Sequence, residues 1–423
     1  MHIHTNSKPT FGSFLVGLYL LSVPVFSYSG ELGLNRIPQI VGTLLVLYAF
    51  YYLIKTGELK KNKSLLLYSL FAVWSIASFA FAEYQSETEG LLTLIKVAII
   101  TSSAAILITN QSDFFVSLAV FFISIFITIT LNFKDIIIIS NLDEITDSSR
   151  FSGTFANANT AALYCLAIIW TGFILLFMQS RNFFFNIIIF AGIILAGSII
   201  IYSGSRKGLL GLGFFSIGLA WFLIKKYSYK ILHKFFMLLV VLGSIFAVFY
   251  IIYTSPFFYR VQTMFLGESS YEVRVYLFTK AINLWTSSFK NLIIGVGTDN
   301  FRFYNDLQAY SHSSISETLV NSGIIGFGLY FASIFSIISI YINSFRKAFS
   351  DEKISITLVL IFILLFLFFN ASSVMVSDNL FWPLIGIISS YGVIIKQAIL
   401  NYNINNTDFH LKSLTRNSYL KGL

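Results

Sequence analysis

Four short stretches of this chain hold residues whose types and spacing could do chemistry together. Ser203-Gly-Ser-Arg-Lys-Gly208 sets Arg206 beside Lys207. A guanidinium presents a planar fork of donors that fits a phosphate, and amides at a helix start add partial positive charge. The pair could equally be two side chains snorkelling at a helix end. Ser149-Arg-Phe-Ser-Gly-Thr-Phe-Ala-Asn-Ala-Asn159 brings Arg150, Asn157 and Asn159 to the start of an apolar run. Either asparagine could cap that helix, and all three side chains could serve a helix start aimed at an anion. Arg274 lies in Ser270–Thr286, where Val273, Leu277, Phe278, Ala281, Ile282 and Trp285 recur at helical spacing. Such an amphipathic helix would lie along a membrane interface, with Arg274 toward a lipid head group. His312 stands in Tyr310-Ser-His-Ser-Ser-Ile-Ser-Glu317. An imidazole titrating near 6.5 can take a proton from a hydroxyl at neutral pH, and Glu317, five residues on, could orient or charge it.

Other chemistries find less support. No His, Cys, Asp and Glu spacing resembles a metal site, and no serine-hydrolase elbow is present. Gly295-Val-Gly-Thr-Asp-Asn-Phe301 lacks the third glycine of a dinucleotide fingerprint, and a turn that shapes a loop is its better reading. Asp299, Asp306 and Glu317 could pair as acid and base, but no spacing favours any pair. Cys165 is the chain's one cysteine, so no internal disulfide forms. It lies in an apolar run and reads as a small buried hydrophobe.

The elements that must position these residues are membrane helices. Of 423 residues, 56% are hydrophobic and 11% charged, against about 25% charged in a typical soluble domain. Mean hydropathy is +0.78. A cytosolic enzyme, a disordered chain and a disulfide scaffold are excluded. A span needs about 20 apolar residues, and the sequence offers twelve. They are Phe11–Ser27, Ile37–Ile54, Ser64–Ala82, Leu91–Thr109, Phe114–Leu131, Asn159–Met178, Phe183–Tyr202, Lys207–Ile224, Phe235–Thr254, Ile315–Ile342, Ile354–Val374 and Leu380–Ile395. Met1–Thr10 has Lys8 as its one full positive charge, and no small-residue cleavage site follows, so no cleavable signal peptide is expected.

With the N-terminus inside, 17 of the 28 Lys and Arg residues fall in inner loops, as the positive-inside rule requires. The net charge of +9 is then a topology signal and not a nucleic-acid footprint. The expected fold is one all-α polytopic membrane domain over residues 1–423, both termini cytoplasmic. Its largest outer loop, 255–314, joins the ninth and tenth spans. Residues 397–423 form a polar, Asn-rich cytoplasmic tail, expected to be poorly ordered. Arg150, Arg206, Lys207, Arg274 and His312 all fall on the outer side.

The order of these stretches resembles the O-antigen ligase and polymerase superfamily of bacterial membranes. The matching pieces are Arg150 through Asn159, Ser205-Arg-Lys-Gly-Leu-Leu-Gly-Leu212, Arg274 with Trp285, Gly295 through Phe301, and His312 through Glu317 to Asn321-Ser-Gly-Ile-Ile-Gly326. Together they define a core over residues 149–330. Family members often carry Asn after the histidine, where Ser313 stands here.

The resemblance implies a glycosyltransferase that moves a glycan from an undecaprenyl-diphosphate carrier to an acceptor hydroxyl. The reaction would take place on the periplasmic face of the bacterial inner membrane. It implies inverting, metal-independent chemistry with no cofactor. Arg206 and Arg274 would hold the donor diphosphate, Arg150 would join the same anionic pocket, and His312 would activate the acceptor hydroxyl. Lys207, Asn157, Asn159 and Glu317 are further candidates. Tyr271, Tyr276, Tyr304 and Tyr310 could stack on sugar rings. The acceptor is a second carrier-linked glycan if the protein is a repeat-unit polymerase, and lipid A–core if it is a ligase. The polymerase is preferred because polymerases vary with each polysaccharide and are the more numerous members. Membrane lipid and a chain-length regulator are the other expected partners. A twelve-span transporter or lipid-glycan flippase is the reading from another class. It would place ionisable residues near the midplane and show internal repeats, whereas these cluster at outer helix ends and no repeat is apparent.

Overall fold

A computed structural model describes residues 8–26, 34–57, 62–85, 88–132, 152, 157–178, 183–227, 269–348 and 350–420. Among these residues the chain forms thirteen α-helices and no strand. They are α1 Phe11–Phe26, α2 Ile37–Thr56, α3 Lys63–Ala80, α4 Glu89–Leu107, α5 Gln111–Leu131, α6 Ala158–Met178 and α7 Phe183–Tyr202. They continue with α8 Arg206–Tyr227, α9 Ser269–Thr286, α10 Phe289–Ile293, α11 Ser314–Lys347, α12 Ser350–Ser372 and α13 Phe381–Leu420. Nine of them, α2–α7 and α11–α13, are long and apolar enough to cross a bilayer. Eleven of the twelve expected spans coincide with helices, and the other, Phe235–Thr254, lies outside the described residues. The protein is an all-α polytopic membrane protein.

The tail departs from expectation. α13 runs on to Leu420, because no proline or glycine stands between Lys396 and that residue to stop it.

α6 lies at the centre of the bundle, with every residue from Ala161 to Thr171 buried, Cys165 among them. Its polar groups are paired as a low-dielectric interior demands. Trp170 Nε1 donates to the Leu358 carbonyl of α12 at 2.9 Å, and the hydroxyls of Ser124 and Tyr164 meet at 2.6 Å. Aromatic stacks fasten α13: Tyr68 on Trp382 at 3.6 Å and Phe114 on Tyr391 at 4.1 Å between ring centroids.

The two ends of the bundle are built differently. At one end Asp113 gathers the start of α1 and the α4–α5 turn. Its carboxylate accepts from the amides of Thr10, Thr109 and Asn110, while Asn110 caps α5 in return. The other end of α4 is roughly 28 Å away by helix rise. There the residues after α10 reach α4, and Asp299 packs against Gly90.

This second end contains a broken helix. Gly323 interrupts α11 with φ 64° and ψ −172°, which frees the carbonyls before it from helical partners. Each finds another donor, as backbone buried in a membrane protein must. Val296 N donates to Val320 O at 2.8 Å and Gly297 N to Asn321 O at 3.0 Å. Ser78 Oγ donates to Asn321 O at 2.7 Å and Trp74 Nε1 to Ser322 O at 2.8 Å, both from α3. The glycine-rich stretch after α10 is thus stitched into the break. Gly295 and Gly297, with φ 86° and 106°, permit this because neither position has room for a side chain.

Candidate active site

The site is built from the starts of α8 and α11, the end of α12 and the exposed helix α9. α8 begins at a sharp turn, where Gly204 takes φ 57°. Ser205 caps the helix by accepting from Gly208 N at 3.2 Å, and its hydroxyl donates to Asn159 Oδ1 at 2.9 Å. Asn159 therefore ties α6 to the start of α8. Asn157 is the cap of α6: Thr160 N and Oγ1 donate to its Oδ1 at 3.0 and 3.2 Å. A Cβ on Gly208 or Gly211 would stand 2.6 Å from Ala162 or Leu166, so these two glycines seat α8 on α6. Gly204 serves the turn instead.

Arg206 is the first residue of α8 and is half-buried. Lys207, also half-buried, sends its ammonium to the end of α12, donating to the Ser372 carbonyl and to Ser373 Oγ, the latter at 2.7 Å. A cation at a helix C-terminus is well placed against the helix dipole.

His312 is the vertex of a turn held on both sides. Its φ of 61° is uncommon for a residue with a Cβ, so its surroundings must fix it there. On one side Ser311 is buried, and its amide and hydroxyl donate to Glu317 Oε2 at 2.8 and 2.6 Å. Glu317 Oε1 accepts from Asn321 Nδ2 at 2.8 Å, and Asn321 Oδ1 accepts from Phe301 N at 2.9 Å. Glu317 thus holds the turn through Ser311.

On the other side Ser313 caps α11 by accepting from Ile315 N at 3.2 Å. An asparagine, frequent at this position in the family the sequence resembles, would cap equally well. Ser314 N and Oγ donate to the Ser373 carbonyl at 3.1 and 3.0 Å, and Met375 N donates to Ser314 Oγ at 2.8 Å.

α9 turns Leu277 and Ala281 inward onto Val296, Phe301 and Val320. Val273, Arg274 and Phe278 remain exposed. The inward face is thus narrower than the sequence spacing predicts. The turn bearing His312 feels both cations. His312 is exposed, yet enough protein surrounds the ring that partial desolvation is the main cause lowering its pKa from the ordinary value. The positive charges of Arg274 and Lys207 push the same way. The imidazole is held neutral, the form that can accept a proton.

The carboxylates considered as acid–base partners are engaged separately. Asp299 pairs with Arg302 at 3.2 Å, Asp306 accepts from Tyr276 OH at 3.1 Å, and Glu317 holds Ser311 and Asn321. Tyr304 OH donates to Glu83 at 2.7 Å, and Tyr310 is exposed two residues from His312. Burial and Glu83 keep the Tyr304 phenol protonated, above its usual range. Among the described residues no group of three or more His, Cys, Asp and Glu is placed to hold a metal ion.

The structure therefore brings Lys207, Arg274 and His312 within electrostatic reach of one another, with Arg206 beside Lys207. Glu317 and Asn159 act behind them and Asn157 caps a helix. Arg150 lies outside the described residues. Sequence reasoning missed Ser372 and Ser373, which receive Lys207. Their signal was the polar run Asn370-Ala-Ser-Ser373 closing an apolar helix. It also missed Asn321 as the link between Glu317 and the glycine-rich stretch.

A family model described as O-antigen ligase matches residues 190–331. The matched region holds Arg206, Lys207, Arg274, His312 and Glu317, while Arg150, Asn157 and Asn159 precede it. The match agrees with the resemblance to the O-antigen ligase and polymerase superfamily carried by the sequence motifs. No curated protein matches the chain.

Proposed function

From the O-antigen ligase domain as premise, we propose that this protein is a polysaccharide repeat-unit polymerase acting at the outer face of the bacterial inner membrane. The donor is a glycan on undecaprenyl diphosphate, and the acceptor is a hydroxyl of a second carrier-linked glycan. The reading is supported by the O-antigen ligase match over residues 190–331, which contains Arg206, Lys207, Arg274 and the His312 turn that Glu317 holds through Ser311.

In the reaction the acceptor oxygen attacks the anomeric carbon of the donor sugar. The bond from that carbon to the diphosphate oxygen breaks, and undecaprenyl diphosphate leaves. His312 takes the proton of the attacking hydroxyl. Negative charge grows on the leaving diphosphate, and the guanidiniums of Arg206 and Arg274 stabilise it, with Arg150 assigned to the same pocket. Attack opposite the leaving group inverts the anomeric centre. A site at helix ends suits a donor whose polyprenyl tail stays in the bilayer while its sugar stays wet.

The test is a complementation gel. The gene is deleted in its host and restored as wild type or His312→Ala, and the surface polysaccharide is extracted. A ladder that collapses to one repeat on a finished lipid core supports the polymerase. Bare core, with long chains still on the undecaprenyl carrier, replaces it with a ligase. Full complementation by His312→Ala removes the catalytic assignment in either case.

A further inference from the structure

Lys207 carries a charge suited to the donor's diphosphate, yet its ammonium is already committed. It donates to the Ser372 carbonyl and the Ser373 hydroxyl at the end of α12. The same Ser373 accepts from the amide and hydroxyl of Ser314 through its carbonyl. Ser314 in turn accepts from Met375 N. Ser314 is two residues from His312, and the residue between them, Ser313, is buried and caps α11. An unbroken set of contacts therefore runs from Lys207 through Ser373 and Ser314 to the His312 turn.

We propose that Lys207 is a positioning residue for the transfer reaction: it clamps the start of α8 to the end of α12 and so fixes the turn that presents His312. This rests on the reading of His312 as the base. It gives Lys207 a task within the protein, distinct from the diphosphate contact assigned to its neighbour Arg206. The left-handed backbone of His312 makes a clamp necessary, because a residue with a Cβ holds that conformation only where its neighbours compel it. Glu317 supplies the compulsion from the Ser311 side. Lys207 supplies it from the other, through two elements far apart in sequence.

The same ammonium also acts on the ring by charge. The charged groups that bear on the turn are Lys207 at the start of α8 and Arg274 on α9, with Glu317 on α11 joined to it through Ser311. Lys207 and Arg274 both favour the neutral imidazole. Position and charge therefore make separable demands on Lys207, and substitutions can divide them.

The experiment uses the full-length protein in lipid vesicles, with undecaprenyl-diphosphate-linked repeat units extracted from the host lacking the gene. Wild type, Lys207→Met, Lys207→Arg, Ser373→Ala and His312→Ala are compared at equal membrane content. Lys207→Met is expected to lower kcat about 10–100-fold with little change in KM, because a displaced base is costly. The acid limb of its pH–rate profile moves to higher pH, because a positive charge beside the imidazole is gone. Lys207→Arg keeps the charge and holds the limb in place, recovering part of the rate. Ser373→Ala removes one acceptor of the clamp without removing charge, so kcat falls while the limb stays.

Wild-type kcat and an unmoved limb in Lys207→Met overturn the proposal. So does a rise in KM alone, which would make Lys207 a donor ligand. If Lys207→Met does not accumulate in the membrane, Lys207→Arg and Ser373→Ala decide: wild-type kcat in both overturns the clamp. His312→Ala separates the two ideas, because wild-type transfer there removes the base itself. An inactive His312→Ala with a fully active Lys207→Met removes the clamp alone.

Discussion

Gly295 and Asn321 meet backbone against backbone: a Cβ on Gly295 would stand 2.5 Å from the Asn321 carbonyl. This contact lets the stretch after α10 lie in the break of α11, and it explains why a glycine stands there. Gly295→Ala should cost on the order of 2–4 kcal/mol, combining left-handed strain with overpacking. Gly57 supplies the contrast, with φ 64° and nothing within 4 Å of its missing Cβ. Gly57→Ala should cost only about 1–2 kcal/mol. Unfolding midpoints of the two purified variants check this, and equal losses would remove the clip from the account.

Glu317 is buried and accepts three hydrogen bonds. Glu317→Ala leaves Ser311 and Asn321 with donors that have lost their acceptor, at a cost of about 2–4 kcal/mol. It should also lower kcat about a hundredfold by loosening the His312 turn. Glu317→Gln keeps one oxygen for Ser311 and should fall between. Steady-state kinetics test the point: a variant that is destabilised but keeps wild-type kcat would show that Glu317 does not orient the histidine.

The pKa of His312 is lowered in the folded protein, so its ring stays neutral to a more acidic pH than a free imidazole would. A base works in that neutral form. The acid limb of kcat/KM should therefore lie below about 6.5, the unperturbed value, with activity lost only as pH falls through the lowered pKa. A limb at or above 6.5 counts against the assignment. His312→Ala should cost about 10²–10⁴-fold in rate, and a loss under about tenfold would reduce it to a positioning role.

Arg274 is exposed on α9, so Arg274→Ala should change stability by no more than about 0.5 kcal/mol. Transfer should nevertheless fall about 10²–10³-fold, the scale of losing one stabilising donor at a developing charge. Arg206→Ala should lose transfer similarly. Normal unfolding with lost transfer supports the diphosphate clamp, and wild-type rates in either variant would sink it.

Much of the architecture was legible because a bilayer imposes a length and a composition on each span. Phe183–Tyr202 was readable to the residue, and α9 was found from the spacing of Leu277, Ala281 and Trp285. A cap at Asn157 or Asn159 was readable too, and the structure gives it to Asn157. The break at Gly323 was not, because its carbonyls are satisfied by Trp74 and Ser78 from a helix some 250 residues earlier. The destination of Lys207 was hidden for the same reason: Ser373 lies 166 residues away. Residue type revealed that Lys207 was out of place, but only tertiary structure shows what it holds. α13 continues past the span read for it, Leu380–Ile395, to Leu420, because no proline or glycine marks an end that the apolar run alone would suggest.

The fastening of Ser314 to Ser373 has a consequence for the order in which the protein becomes competent during synthesis. A ribosome delivers His312 some sixty residues before the serine that completes its turn. Until α12 has been made and inserted, the histidine has its Glu317 support but lacks the other. A nascent chain halted after α11 would carry every cationic residue of the site and still be idle. The His312 turn therefore gains its second support only once the end of α12 has been made, late in the chain.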